Sequence, residues 1–445
     1  MDVVHFLRSL LNNSEFFIEE IYEERAMEKD IELFRRGFGT TPKYKITVPS
    51  RINIIGEHSD LYDNFVLSMA VANLKMNAFV SPRQDDKIRI LSLNLEGDDK
   101  PFFEFSIKDD RYKVQWVQYV QGAVAMYAEE YRRRNLKGFD MLIDSSIPVG
   151  GGLSSSSALT MTSLAALGVA NGFTDGKIDF TPEQGIEIIN KKSDDQRTQA
   201  LLRNFFMMGC WAEYWYGTRG GFNDHLAMAC SKKLNATLSD NREKTYLYSP
   251  IPEDIAFAVC NTMVRHNQLY SEYTVRKTTT FGAIAKIAHF YSEVQNARDI
   301  TSEMLEKYKG ELTEVEFRRL RHPITERERV FAFMEALKDK DFARAGDLLN
   351  QTHMSLKNDY EVTCRELDIM QEAAVSIPGC YGARMVGGGF GGCVVAIVNQ
   401  DSKEDFLKEI KNKYDNHPEI KPLKIKSEAW EAVSGEGLRI YGIEQ

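Results

Sequence analysis

Pro148-Val149-Gly150-Gly151-Gly152-Leu153-Ser154-Ser155-Ser156-Ser157-Ala158-Leu159 is the stretch on which the fold turns. Its glycines and serines separate a mainly apolar run, Phe139 to Ile147, from a helix-forming run, Ala158 to Val169. The order is strand, loop, helix start. Glycines let the backbone come close to a ligand and aim several N–H groups at one spot. A helix N-terminus adds free N–H groups and a partial positive charge. Small hydroxyl side chains can donate to oxygens or hold a cation without crowding it. Together these make an anion cradle, whose expected occupant is a nucleotide triphosphate. The Gly-Lys-Ser/Thr ending of a P-loop is absent, so this is a different kind of phosphate loop. A plain Gly/Ser turn is the competing reading.

Outside this loop the chain has the make-up of a globular protein. Its 445 residues suggest two or three domains with ample core, and 43% hydrophobic and 27% charged residues are ordinary. A net charge of −9 argues against a dedicated nucleic-acid binder. The six cysteines are scattered without a C-x-x-C pair, which reads as reduced thiols in a cytoplasmic protein and not as a disulfide frame or zinc site. No signal peptide and no run of membrane-spanning length is evident. Asn235-Ala236-Thr237 fits a glycosylation sequon, which has no meaning without secretion.

Taken in order, the first three dozen residues read as helix, stopped by Gly37 and Gly39. Residues 43–49 read as a strand. Ser50-Arg51-Ile52-Asn53-Ile54-Ile55-Gly56-Glu57-His58-Ser59-Asp60 then runs an apolar strand carrying Arg51 and Asn53 into a turn that presents Glu57, His58 and Asp60. Polar groups clustered directly after a buried strand point to a site at the strand's end. Runs over 75–80, 87–93 and 102–107 predict an antiparallel sheet, and residues 115–134 an amphipathic helix. Residues 176–195 read as polar and peripheral. Glu213 stands alone in an apolar helix over 201–216, so it is either paired or functional. Gly217 to Gly221 form a Gly-rich loop that leads to Asp224.

Pro250 and Pro252 predict a domain joint, dividing the chain into 1–249 and 250–445. The second part opens with a strand at 255–260 and is mainly helical from 276 to 377. The stretch from Gly387 to Gly392 satisfies G-x-G-x-x-G, but a strand follows it instead of a helix. It therefore reads as a close-packing glycine hinge against another loop, not as a dinucleotide fingerprint.

These three stretches, in this order and spacing, resemble the GHMP small-molecule kinases, and the Arg51-to-Asp60 stretch resembles their galactokinase branch. Val259-Cys260-Asn261 with Val264-Arg265-His266, Ser271 to Arg276, His322 with Glu326, and His353 to Val362 resemble the same branch. The resemblance runs from about Phe34 to about Val398. It implies an α/β plus α+β fold: a ribosomal-S5-like N-terminal domain, a ferredoxin-like C-terminal domain, and an active site in the cleft between them with the late glycine turn near the phosphate loop.

The resemblance also implies roles. Gly150, Gly151, Gly152, Leu153, Ser154, Ser155, Ser156 and Ser157 match the loop around the ATP phosphates. Ser156 and Glu213 match the Mg2+-associated pair, although Glu213 to Asp224 is one residue shorter than the family pattern. Asp224 matches the catalytic base and Arg51 its partner. Glu57, His58, Asp60, Gly221 and Tyr273 match sugar-contacting positions. The implied activity is ATP- and Mg2+-dependent phosphorylation of the anomeric hydroxyl of galactose or a close relative. The expected protein is a cytoplasmic monomer whose partners are sugar and ATP, with no nucleic acid or membrane partner.

The chemistry of the residues agrees. Phosphoryl transfer needs positioning and charge neutralisation, magnesium takes oxygen ligands, and a carboxylate accepts a hydroxyl proton. Leu61 stands where the family usually has Tyr, Asn64 and Ser50 where it has Gly, and Asn223 and His225 where it has Met and Gln. All but Ser50 fall in or beside the two sugar-facing loops, which leaves the sugar's identity open. A uronic acid is disfavoured beside Glu57 and Asp60 by charge repulsion. Two alternatives are a silent sugar sensor, against which the complete phosphate loop argues, and a kinase of a non-sugar alcohol, against which Glu57, His58 and Asp60 argue.

Overall fold

The computed structural model describes residues 25–94, 102–109, 114–132, 135–149, 151–217, 220–265 and 269–443. Gly150 and the Tyr273 side chain lie outside the described residues, as do residues 1–24 of the expected N-terminal helix. A helix over 25–38 is present, ended by Gly39 at φ 73°, whose N–H bonds back to the Arg35 carbonyl. Phe34 and Phe38 on its inner face pack with Phe79 and Leu142 in a small satellite cluster.

Two sheets carry the rest. In the first, the strands run 439–442, 44–55, 65–82, 139–145, 87–92, 102–106 across the sheet, with 235–240 and 245–250 attached to the far end of 65–82. The two long central strands, Tyr44–Ile55 and Phe65–Pro82, are antiparallel and buried over most of their length. The expected antiparallel sheet is in fact mixed, because Lys87–Ser92 pairs in parallel with Phe139–Ser145; a parallel pair needs a long crossover, and the helix Gln115–Glu130 supplies it. The second sheet is antiparallel, with order 380–386, 391–399, 255–265, 428–431. The two sheets and the helices packed on them match the α/β plus α+β architecture anticipated above.

The helix Ser155–Asn171 that follows the Gly/Ser loop is buried on almost every face. It is built from Ala, Leu, Ser and Thr, so neighbouring elements approach it closely on all sides, as an all-round core helix requires. The supposedly peripheral stretch 176–195 contains a short helix, Pro182–Lys191, set by a capping box between Thr181 and Gln184. The final strand, Arg439–Gly442, was not legible in the sequence: it is four residues long and pairs with residues 44–47, about four hundred positions earlier.

The glycine hinge is a hairpin. The strand Cys380–Val386 leads into it, and the expected strand follows as Gly391–Asn399. It still opens no helix, and the rejection of a dinucleotide fingerprint stands. The hairpin's bend lies against the phosphate loop. A Cβ added at Gly387 would sit 2.7 Å from the Gly152 carbonyl oxygen, and one at Gly152 would sit 2.9 Å from that of Val386.

Candidate active site

Strand 44–55 delivers Arg51 and Asn53 two residues apart, hence on one face. Arg51 is 4% exposed. Its Nε and Nη2 donate to the two Asp224 oxygens at 2.7 and 2.6 Å, a forked pair, and Nη1 donates to the Gly152 carbonyl at 2.9 Å. The Ser154 hydroxyl, first of the phosphate-loop serines, also donates to Asp224 Oδ2. Asp224 opens the helix Asn223–Cys230. Burial works to raise its carboxyl, but the charge and hydrogen bonds of Arg51, then the hydrogen bond from Ser154, outweigh that and hold it below the ordinary carboxylate range. An ionised carboxylate offers about four acceptor sites. Three are filled by these donors, leaving one open acceptor on a carboxylate that is a quarter exposed.

The turn after the strand needs Gly56. Its φ is 102°, and a Cβ there would lie 2.7 Å from the Phe65 carbonyl oxygen. Glu57 follows and is 5% exposed. Its carboxylate accepts from Asn53 Nδ2 at 2.7 Å, Arg384 Nη1 at 3.1 Å and the Gly387 N–H at 3.0 Å. His58 is buried, with its ring centroid 4.9 Å from that of Tyr360. Burial, then the neighbouring His322, Arg384 and Arg276, pushes the His58 imidazole down to about 3, so it stays neutral. Asp60 lies against Gly221, where a Cβ would collide with its carboxylate. Burial, then the negative charges of Asp224 and Glu57, pushes Asp60 up to about 7. Two neighbouring carboxylates thus differ: Asp224 is held ionised by its guanidinium, and Asp60 shares a proton near neutrality.

Residues 56–64 belong to the first half of the chain, yet groups of the second half hold them in place. Glu326, fully buried, accepts from the Gly56 N–H at 2.8 Å, Arg329 Nε at 2.8 Å and Thr352 Oγ1 at 2.9 Å. His322 Nε2 donates to the Glu57 carbonyl at 2.9 Å, which fixes the tautomer and turns Nδ1 to Ser355 Oγ at 3.0 Å. Tyr62 and Tyr360 share a hydrogen bond of 2.8 Å between their hydroxyls. Asn64 Nδ2 donates to the Pro323 carbonyl at 2.8 Å. Arg384, wholly buried, donates to the carbonyls of Ile54 (2.8 Å), Met385 (2.7 Å) and Asn53 as well as to Glu57. The sequence offered one signal for it, a lone Arg in an apolar strand just before the glycine hinge, and the hinge drew the reading instead.

The substitutions that left the sugar open lie mostly behind the site. Asn223 is 1% exposed and spans Asn53 (2.8 Å), Ser239 (2.7 Å) and Ser68 (3.3 Å). Ser50 donates to the Leu153 carbonyl at 2.9 Å. Leu61 packs on the core of the second half. Glu213 is paired, and the hydroxyl donating to it is Ser157 at 2.7 Å; Ser156 is half-buried one position earlier. The second Glu213 oxygen, Oε2, receives no donor among the described residues. That open carboxylate oxygen and the hydroxyls of the neighbouring serines are oxygen ligands of the kind magnesium takes.

Comparison with known proteins identifies the family. Residues 32–82 match the galactokinase galactose-binding signature, residues 118–195 the GHMP kinases N terminal domain and residues 333–416 the GHMP kinases C terminal family. The chain is 34% identical over 384 residues to a galactokinase of Chloroflexus aurantiacus, spanning 86% of this chain and 90% of that one. It is 30% identical over 387 residues to a galactokinase of Homo sapiens, again over 86% and 90%. Among solved structures it is similar to Lactococcus lactis galactokinase complexed with galactose, with a TM-score of 0.78, 25% identity, and coverage of 93% of this chain and 99% of that one.

Proposed function

Since the chain belongs to the galactokinase family of GHMP kinases, we propose that it transfers the γ-phosphoryl group of ATP to the anomeric hydroxyl of galactose. The observation that carries this reading is Asp224: one carboxylate joined by hydrogen bonds to Arg51 and to the phosphate-loop hydroxyl of Ser154, with one acceptor position left over.

In this reading a sugar hydroxyl donates to that open position. Arg51 keeps Asp224 ionised, so the carboxylate orients the hydroxyl and takes its proton late, as the attacking oxygen bonds to phosphorus. Arg51 also places positive charge beside the transferring group. Residues 151–157 and the start of helix Ser155–Asn171 supply N–H groups and dipole to the phosphates. Magnesium, when bound, neutralises phosphate charge, and Glu213 with Ser156 would hold it. Asp60, near half-protonated at neutral pH, can donate to or accept from a second sugar hydroxyl. Glu57, His58, Gly221 and Tyr273 are assigned to the same sugar. For Glu57, whose oxygens already accept three protein donors, the sugar would be a further donor.

The joint near residue 250 falls between the strands Thr245–Pro250 and Ile255–Arg265, and we take it as the division between the two domains. Six cysteines outside any disulfide, four of them buried, suit a reducing compartment such as the cytoplasm, and no helix among the described residues is long and apolar enough to cross a membrane. We take the working unit to be a monomer acting on sugar and ATP.

The test is ADP release with galactose, N-acetylgalactosamine, arabinose and glucose, with the product identified by phosphorus NMR. Galactose 1-phosphate is expected. No turnover on any of these sugars by folded protein sinks the proposal. Asp224→Ala should cut turnover by roughly two to four orders of magnitude.

A further inference from the structure

His225 is the residue the mechanism leaves over. It is 1% exposed, and its ring lies against Gly209, so that a Cβ there would lie 2.7 Å from His225 Cδ2. Both ring nitrogens are buried without a hydrogen-bond partner. Burying an imidazole in that state is unfavourable, so a residue that holds one there calls for a reason. Nε2 lies 3.5 Å from Glu213 Oε1, the same oxygen to which Ser157 donates at 2.7 Å. Two groups from different elements therefore converge on one oxygen of the carboxylate, while Oε2 is left without a donor among the described residues.

We propose that His225 and Ser157 are positioning residues for Glu213: they hold Oε1 from behind so that Oε2 faces the metal–nucleotide complex. In the tautomer protonated on Nε2, a movement of a few tenths of an ångström turns the present 3.5 Å approach into a hydrogen bond. Hydrogen bonds of this kind, made to a ligating carboxylate by groups that do not touch the metal, fix its orientation, and their loss costs 10- to 100-fold in metal affinity. The placement also accounts for His at this position, where the family pattern has Gln. Both side chains offer an N–H to the same oxygen, and the ring additionally fills the space over Gly209. This inference rests on the reading of Glu213 as the magnesium-associated acid.

The experiment measures Mn2+, a spectroscopic stand-in for magnesium, by the electron paramagnetic resonance of the free ion, with full-length protein and a non-hydrolysable ATP analogue. Wild type, His225→Leu, His225→Gln and Ser157→Ala are compared, with galactose affinity and thermal unfolding followed in parallel. His225→Leu and Ser157→Ala should weaken Mn2+ binding roughly tenfold or more with galactose affinity unchanged, and His225→Gln should recover most of the loss. Wild-type affinity in folded His225→Leu overturns the proposal, and so does a His225→Gln variant as weak as His225→Leu, because that would make the ring's packing the cause. Wild-type protein that binds the nucleotide analogue but no Mn2+ removes the assignment of Glu213 as well. A Leu effect absent against a wild type that does bind Mn2+ removes this inference alone.

Discussion

Replacing Arg384 by Met tests the claim that the second half of the chain holds the sugar loop in place. Arg384 is wholly buried and donates to Glu57 Oε2 at 3.1 Å and to three carbonyls, those of Asn53, Ile54 and Met385. Met conserves most of the stem and removes the charge and every donor. Glu57, 5% exposed, then keeps only Asn53 and the Gly387 N–H as partners. Breaking one side of a buried pair costs about 3–5 kcal/mol, chiefly through the carboxylate left behind. That is a large share of a typical total stability of about 5–15 kcal/mol. The pair's own contribution comes from a double-mutant cycle with Glu57→Gln, which removes the opposite charge. The double variant should be more stable than the sum of the two single losses predicts, by about 1–3 kcal/mol. Urea unfolding followed by circular dichroism and by tryptophan fluorescence supplies the free energies where the two signals coincide. Galactose affinity should fall in both single variants. A loss below about 1 kcal/mol for Arg384→Met, or strict additivity in the cycle, would refute the view that this guanidinium pins the loop through Glu57.

The raised Asp60 carboxyl makes a pH prediction of definite sign. Its folded value of about 7 lies above the ordinary 3.8, so its contribution to stability is fully present below about pH 4 and is lost as pH rises through about 7. The loss is at most about 4 kcal/mol. Asp60→Asn should flatten the stability profile between pH 4 and 8; identical urea midpoints across that range in wild type and variant would show that the carboxyl is not strained there. Asp224 works in the opposite sense, since its lowered value gives stability above the ordinary carboxylate range that is lost only on acidification. Gly387→Ala would force a side chain at φ 87° to within 2.8 Å of Gly152 Cα. The strain of that backbone state, roughly 1–2 kcal/mol, should displace the phosphate loop and raise the KM for ATP more than that for sugar; equal changes in both would count against contact between hinge and loop.

The parts legible in the sequence were those that local chemistry specifies. The strand–loop–helix order around the Gly/Ser stretch was legible because glycines and small hydroxyls cluster naturally in a turn that opens a helix, and helix Ser155–Asn171 does start there. Asp224 and Arg51, 173 residues apart, were paired only through the resemblance, and the fork between them is present. What stayed hidden depended on direction or distance. Asn223, Asp224 and His225 are consecutive, but neighbours on a helix point about 100° apart, so one faces the cleft while the other two are buried. Ser156 and Ser157 are indistinguishable in composition, and only the helix phase decides which reaches Glu213. Arg384 was visible as a charge in an apolar strand, but its partners Asn53, Ile54 and Glu57 lie more than 300 positions away.

The pairing of residues 439–442 with 44–47 bears on how the molecule is made. Synthesis proceeds from the N-terminus, so the start of the Arg51-bearing strand has a neighbour on one side only until residues 439–442 have been made. Through that interval its outer N–H and C=O groups form an open margin able to pair with another nascent chain. Arg439 to Gly442 are the residues that close it.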